Sequence, residues 1–314
     1  MQETHSNKQF NDFNDEVTLL ELFHVLCDGK WIIVWLTALI SIIGVMYSLS
    51  LPNIYTSKAL VVAANSSNGI SKALGNFGGL AGLAGINLSP GSDEGNSAKA
   101  LIKIKSLSFF ENNILPNIFL QDLMAVKSWD GDANILTYDE SIYKMDSNTW
   151  VSDDSNPNQQ VPSSQKSFRV FIEHLGVVED KKSGFITISI KHQSPFIAKQ
   201  WAELVVDEAN AFYRQKDKSE SEKAASYLNQ QILMAGLSEI KQILAQLLQE
   251  ETKKLALIEA NEAFVFDYID PPAVMEIKTS PQRAIICILS ALLGGMLSIL
   301  LVLIRHYFFK EKAS

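Results

Sequence analysis

Two uncharged runs near the ends of the chain constrain its fold more than any other feature. They are Trp31 to Leu51, WIIVWLTALISIIGVMYSLSL, and Ala284 to Ile304, AIICILSALLGGMLSILLVLI. Each has 21 residues, and a helix of that length rises about 30 Å, which is the thickness of the hydrocarbon core of a bilayer. Because lipid offers no hydrogen-bond partners to a free backbone, both runs predict transmembrane helices. A buried helix of a soluble protein rarely has so long an uncharged stretch.

The first run differs from a cleavable signal peptide in its flank and in its length. Residues 1–30 contain six acidic residues and only two lysines, whereas a signal peptide begins with a basic region and has an apolar core of roughly 7–15 residues. We therefore expect the first span to remain in the protein. The predicted domains are an N-terminal tail (1–30), a span (31–51), a domain (52–283), a second span (284–304) and a C-terminal tail (305–314).

The basic residues beside the spans predict which side of the membrane holds the tails. Two spans put both tails on one side, and that side carries five of the nearby basic residues against three on the domain side. Basic residues are in excess on cytoplasmic flanks. We expect both tails in the cytoplasm and residues 52–283 to be exported. The residues counted are Lys8, Lys30, Arg305, Lys310 and Lys312 against Lys58, Lys278 and Arg283.

The composition of residues 52–283 narrows the classes of function. This segment contains 28 acidic and 22 basic residues, so its bulk charge does not favour nucleic acid as a partner. Neither cysteine of the chain lies within it, since Cys27 precedes the first span and Cys287 lies in the second. The exported domain must therefore rely on an apolar core, which its length allows.

The predicted elements of the exported domain are both helices and strands. Ile54–Ala64 and Phe185–His192 alternate in the way that strands do, and Phe264–Ile269 predicts a strand returning to the membrane. Ala98–Leu115 predicts a helix, and the polar residues 127–167 predict a loop. The fold class is an α+β domain with a long extended helix, anchored by two transmembrane helices.

A long helix is predicted over about residues 220–262. Within it, a 3-4 repeat forms an apolar stripe that is typical of helix packing. The stripe could pack within its own subunit, against a neighbour in an oligomer, or against a client. We favour the neighbour, because the sequence indicates no second long helix. The stripe residues are Leu233, Leu237, Ile240, Leu244 and Leu247.

Small and rigid residues near the second span form two further candidate sites. Gly294 and Gly295 predict close approach of this span to another helix, unless they are incidental small residues facing lipid. Pro271, Pro272 and Pro281 predict a rigid membrane-proximal linker. Pro281 also suits the start of a helix, which is the alternative for that residue.

Residues with catalytic or metal-binding chemistry do not form a recognisable set. The acidic pairs Asp139-Glu140 and Asp153-Asp154 have no His or Arg partner nearby in the sequence, and His174 and His192 lack the spacing of a metal site. The glycine-rich segment Gly75–Ser92 lacks the Gly-Lys-Ser/Thr of a phosphate-binding loop, and predicts either a mobile loop or a close subunit contact. We therefore predict no catalytic residue, no cofactor and no metal.

Several segments occur together in an order that is specific as a set. The segment YIDPPAVMEIKTSPQRAIICILSALLGGML joins a strand ending in Asp-Pro-Pro to a proline-containing linker and a glycine-containing span. LLELFHVLCDGKW, IYTSKALVV, GGLAGLAGINL and GFITISIKHQSPFIAKQWAELVVDEANAFYRQKD precede it. In these segments, which cover nearly the whole chain, the sequence resembles the Wzz-type chain-length determinants, the polysaccharide co-polymerases of bacterial inner membranes.

The resemblance implies a fold, partners and a function. The expected structure is a membrane-proximal periplasmic α/β base with a projecting helix, assembled as a bell-shaped ring of several protomers. The implied partners are further copies of the chain, a polysaccharide polymerase, the lipid bilayer and the glycan itself. The implied role is non-enzymatic control of how many repeat units are added to a lipid-linked glycan, commonly the O-antigen of lipopolysaccharide. With ten residues after the second span and no Walker motif, the chain resembles the kinase-free branch.

Other functions remain as alternatives. A two-span sensor would share the topology, but the tails of 30 and ten residues offer no output domain. A glycan-processing enzyme would need paired acids or a nucleophile and base in a pocket. Within the family, the glycan could be capsule, exopolysaccharide or enterobacterial common antigen.

Overall fold

The computed structural model describes residues 19–64, 93–151, 161–261 and 263–310. The predicted contact or loop at Gly75–Ser92, the pair Asp153-Asp154 and most of the N-terminal tail lie outside the described residues. The chain divides into two compact units, Met1–Leu51 with Pro281–Ser314, and Pro52–Ser280.

The principal elements are helices and strands in mixed order. In chain order they are α1 (Leu19–Asp28), α2 (Lys30–Ser50), β1 (Tyr55–Ala63), α3 (Asp93–Ile104), α4 (Leu120–Met124), β2 (Val126–Asp130), β3 (Ile135–Tyr138), β4 (Tyr143–Lys144), β5 (Thr149–Trp150), α5 (Ser164–His174), β6 (Leu175–Glu179), β7 (Phe185–His192), α6 (Pro195–Met234), α7 (Ser238–Ala260), β8 (Phe266–Asp270) and α8 (Arg283–Lys310). Three short helical turns, Leu107–Phe109, Phe110–Ile114 and Leu115–Asn117, connect α3 to α4. The mixed helix and strand content predicted from the sequence is confirmed.

The sheet of the larger unit has four strands in the order β6-β7-β1-β8, and every neighbouring pair is antiparallel. The apolar alternation of β1 and β7 puts matching residues on one face: Ala59 is opposite Ile188, and Val61 is opposite Ile186. All four of these side chains are buried. The strands predicted at Ile54–Ala64 and Phe185–His192 are thus confirmed.

The first half of α6 covers the buried face of this sheet. Its buried residues recur at helical spacing, which gives the helix one apolar face. Asn210 joins the helix to the start of the last strand: its Oδ1 accepts from the amides of Val265 and Phe266, both at 2.9 Å, and its Nδ2 donates to the Phe266 carbonyl at 3.0 Å. The buried core residues on α6 are Ala198, Trp201, Ala202, Val205, Val206, Ala209 and Tyr213.

The two ends of this unit lie side by side. The Ile54 amide donates to the Ser280 carbonyl at 2.9 Å, and the Thr279 amide donates to the Ile54 carbonyl at 2.8 Å. Lys278 Nζ donates to Asn53 Oδ1 at 3.0 Å. The chain therefore enters and leaves the unit at one place.

The long helix differs from the sequence prediction. Where one helix was expected over about residues 220–262, α6 ends at Met234 and α7 begins at Ser238. Ala235 and Leu237 have extended backbone angles, and Gly236 between them has low helix propensity. α7 then folds back along α6, so that Lys218 pairs with Glu259 and Arg214 Nη2 donates to the Asn261 carbonyl at 3.0 Å. The expectation of one continuous helix is corrected to a helical hairpin.

The polar segment expected as a loop also contains regular structure. β2 pairs with β3, and β4 pairs with β5, in two short antiparallel hairpins. Asn134 and Asn148 take the left-handed backbone conformation in the two turns, with φ of 52° and 51°, which asparagine tolerates better than most residues. The strands were missed because they are short and mostly polar.

The smaller unit contains the two helices that are long and apolar enough to cross a membrane, α2 over Lys30–Ser50 and α8 over Arg283–His306. Few of their side chains are buried within the chain, whereas a core helix of a soluble protein is mostly buried. This exposure agrees with two membrane spans.

α2 and α8 pack together through small residues. A Cβ atom built on Gly44 would lie 2.3 Å from Ser290 Oγ, and one built on Gly294 would lie 3.1 Å from Ile40 Cβ. Thr37 Oγ1 and Ser298 Oγ form a hydrogen bond of 3.2 Å across the same contact. Close packing of backbones with hydroxyl hydrogen bonds is how helices associate in lipid.

We predict that Gly294→Leu separates α2 from α8 and that Gly295→Leu does not. A Leu at 294 overpacks a contact that is full, at a cost of about 1–3 kcal/mol, whereas a Cβ at 295 meets nothing within 4 Å. The measurement is disulfide formation between Thr37→Cys and Ser298→Cys in membranes, with Cys27 and Cys287 replaced by serine. Equal cross-linking of the two glycine variants would contradict the packing described.

Candidate functional site

The predicted stripe lies around the turn of the helical hairpin and is largely exposed. Leu233, Leu237, Ile240 and Leu247 are 79%, 61%, 46% and 44% exposed, and Leu244 is half-buried. The break at residues 235–237 means that these residues do not share one continuous helix.

α7 has two apolar faces with different surroundings. The inner face lies against α6 and consists of Leu244, Leu248, Leu255 and Ile258, which are half-buried or buried. The outer face is a row that borders the inner face on the helix surface, and consists of Ile240, Ile243 and Leu247, spaced by three and four residues and all exposed. We call this outer face, together with Leu233, Met234 and Leu237, the hairpin patch. Ile243 and Met234 were not predicted, because the 3-4 repeat of the sequence continues across the break between α6 and α7.

The candidate glycines are not equivalent. Gly294 lies in the contact between α2 and α8, and Gly295 faces away from α2. Gly44 and Ser290, which meet in the same contact, were not among the residues predicted from the sequence. The spacing of Ser290, Gly294 and Ser298, four residues apart each time, is the small-xxx-small pattern that could have identified this contact.

The three prolines have different positions. Pro271 and Pro272 follow β8 directly, Pro271 exposed and Pro272 buried. Pro281 stands two residues before α8, and its carbonyl accepts from the Arg283 amide at 3.0 Å. Its position also fits the alternative of a residue that marks the start of a helix.

The two histidines of the domain are structural. His192 is 1% exposed; its Nε2 donates to the Asp122 carbonyl at 2.9 Å, and its Nδ1 accepts from the Ser194 amide at 3.0 Å. Burial lowers the pKa of His192 to about 4, so this ring is neutral near pH 7. His174 lies beside it, with 6.1 Å between ring centroids. Among the described residues, no group of three His, Cys, Asp or Glu side chains could hold a metal ion.

Comparison with known proteins identifies a matching family model. Residues 15–109, which include α2, β1 and α3, match the family model described as "Wzz: Chain length determinant protein". No curated protein matches the chain significantly.

Three solved structures align with low overall similarity. A full-length bacterial polysaccharide co-polymerase is 16% identical, covers 95% of this chain and 100% of its own, and has a TM-score of 0.39. A fragment of the Salmonella Typhimurium polysaccharide co-polymerase WzzB is 12% identical, with coverages of 73% and 100% and a TM-score of 0.31. A mutant of the Shigella flexneri lipopolysaccharide O-antigen chain-length regulator is 11% identical, with coverages of 72% and 99% and a TM-score of 0.23.

All three TM-scores are below 0.5. The relationship to known proteins therefore rests on the family model. It covers the first span and the central strand of the sheet, two elements that the sequence predicted independently. The match over residues 15–109 confirms the predicted resemblance of this part of the chain to the Wzz chain length determinants.

Proposed function

We propose that this chain is a non-enzymatic regulator of polysaccharide chain length in the bacterial inner membrane. The protein oligomerises there and sets how far a membrane-embedded polymerase extends a lipid-linked glycan. The observation that carries this proposal is the match of residues 15–109 to the chain length determinant model. The two apolar helices, α2 and α8, support the membrane location.

The proposed topology has both tails in the cytoplasm and residues 52–283 in the periplasm. The basic residues Lys30 and Arg305 flank the spans on the tail side, followed by Lys310 and Lys312, in keeping with the excess of basic residues on cytoplasmic flanks. The tails are residues 1–30 and 305–314, and the spans are residues 31–51 and 284–304.

The proposed glycan is the O-antigen of lipopolysaccharide. It is the common substrate that the family resemblance implies. Capsule, exopolysaccharide and enterobacterial common antigen are the alternatives, and they differ in the polysaccharide whose length would change when the gene is removed.

The proposed contact between protomers is the hairpin patch. Its six apolar side chains are between 44% and 79% exposed in the described part of the chain, and exposed apolar clusters of this kind mark interaction surfaces. The inner face of α7 already packs on α6, so packing within the subunit does not use the outer face. Burying a single Leu or Ile side chain contributes about 1.5–3 kcal/mol, so the patch could supply much of a subunit contact.

The remaining candidate residues receive supporting roles. Gly295, which faces away from α2, is proposed to let α8 approach a helix of another copy. Pro271, Pro272 and Pro281 are proposed to restrict the backbone of the membrane-proximal linker, since proline fixes its own φ and restricts the residue before it.

We predict that Ile240→Asp with Leu247→Asp dissociates the oligomer without unfolding the protomer. Both residues are exposed, so the charges are tolerated by the free protomer but would be buried without partners in a subunit contact. The measurement is the mass of the full-length protein in detergent by light scattering, with circular dichroism to follow its helix content.

Gln242→Asp with Gln249→Asp is the matched control, because it adds the same two charges at the same spacing on exposed positions of α7. We expect this control to remain oligomeric. If the Ile240 and Leu247 variant keeps its full oligomeric mass, the hairpin patch is not the main contact.

Deletion of the gene tests the proposed function itself. We expect one surface polysaccharide to lose its preferred length, seen as a spread of the clustered bands on a gel, and the wild-type gene to restore it. Total polysaccharide should persist, because the polymerase is a separate protein in this proposal. Unaltered length distributions of all surface polysaccharides would refute the function.

A further inference from the structure

A cavity of about 370 Å³ lies between the two short hairpins β2–β3 and β4–β5. Its size falls within the range of pockets that bind small organic ligands, about 300–1,000 Å³. The side chains that give it chemical character are Thr137, Tyr138, Glu140, Tyr143, Asp146 and Ser147.

Two tyrosine rings of this cavity are held in fixed orientations. The Tyr138 hydroxyl donates to Asp122 Oδ1 at 2.6 Å, and the Tyr143 hydroxyl donates to Asn148 Oδ1. The two rings meet edge to face with 5.8 Å between centroids, and Tyr143 also packs on Trp150 at 5.0 Å. Burial, together with the bond to Asp122, raises the pKa of Tyr138, so its hydroxyl stays protonated and committed to that bond.

Tyr143 is only 5% exposed and supports the Tyr138 ring through the edge-to-face contact. The half-buried ring of Tyr138 is therefore the aromatic surface that the cavity offers. The hydrogen-bonding groups that line the same cavity are the carboxylates of Glu140 and Asp146, the Lys144 ammonium and the hydroxyls of Thr137 and Ser147. Of these, Ser147 Oγ already shares a hydrogen bond of 2.6 Å with Thr149 Oγ1. Glu140, Lys144 and Asp146 are exposed and can therefore meet a ligand that enters from solvent.

A ligand that fits this lining must be apolar on one face and rich in hydroxyl groups at its edge. A pyranose ring has this character, since its C–H groups pack on the face of an aromatic ring while its hydroxyls donate to carboxylates and accept from ammonium groups. A nucleotide or other polyanion would place its charge beside two carboxylates. The lining therefore favours a neutral or basic sugar.

We propose that this cavity binds one or two sugar residues of the polysaccharide whose length the protein regulates. The inference rests on the proposed function for the source of the sugar. The site is separate from the hairpin patch and gives the domain a direct contact with the glycan.

The test is binding of the isolated polysaccharide to the full-length protein in phospholipid nanodiscs, which avoid detergents with sugar head groups. The probe is the surface polysaccharide whose length distribution changes when the gene is deleted, freed of its lipid by mild acid. Saturation-transfer NMR detects contact of sugar protons with the protein, and calorimetry measures the affinity. A null deletion result thus counts against the proposed function, whereas absent binding after a positive deletion result counts against this site alone.

Two variants test whether the sugar binds in the cavity. Thr137→Trp fills it and should weaken binding at least about tenfold, whereas Ile135→Trp, on the same strand but outside the cavity, should leave the affinity within about twofold. Glu140→Gln with Asp146→Asn preserves shape and should also weaken binding, so the test does not depend on how well Thr137→Trp folds. The proposal is overturned if the wild type does not bind, if both cavity variants bind as the wild type does, or if Ile135→Trp weakens binding equally.

Discussion

Antiparallel pairing of the first and last strands organises the larger unit and holds its two ends together. β1 and β8 are antiparallel neighbours in the sheet, and the main-chain bonds between Ile54 and residues 279–280 extend this pairing to the ends of the unit. Main-chain bonds do not depend on side-chain identity, so the arrangement tolerates much sequence change while it keeps both ends together.

The helical hairpin formed by α6 and α7 is attached at one end to this sheet. The first half of α6 is fixed on the sheet by its apolar face and by the three hydrogen bonds of Asn210. The second half continues away from this core, where α7 provides cover on one side only. The apolar row of Ile240, Ile243 and Leu247, which borders the contact with α6, stays exposed. An unsatisfied apolar surface of this kind is the physical reason for proposing that protomers associate.

Periodicity made part of this structure predictable. The spans, β1 and β7 each repeat one simple pattern over their length, and such patterns identify an element with little help from its surroundings. The break at Ala235–Leu237 was not predictable in the same way, because the apolar 3-4 repeat continues across it in the sequence and only Gly236 interrupts helix propensity. The hairpins formed by β2 to β5 depend on packing of Tyr138, Tyr143 and Trp150 rather than on any repeat. The cavity between these hairpins was therefore not found from sequence alone. Gly44 was not identified from sequence as the partner of Ser290 either.

Thiol labelling shows whether the membrane separates the tails from the domain. Cys27 is exposed at the end of α1, and Asp132 is exposed in the turn between β2 and β3. One protein keeps Cys27 as its single cysteine, and the other has only a cysteine introduced by Asp132→Cys, with Cys27 and Cys287 replaced by serine. In cells with a permeabilised outer membrane and an intact inner membrane, an impermeant maleimide should label the Asp132→Cys protein and should reach Cys27 only after lysis. Labelling of Cys27 before lysis, with protection of the introduced cysteine, would contradict the account.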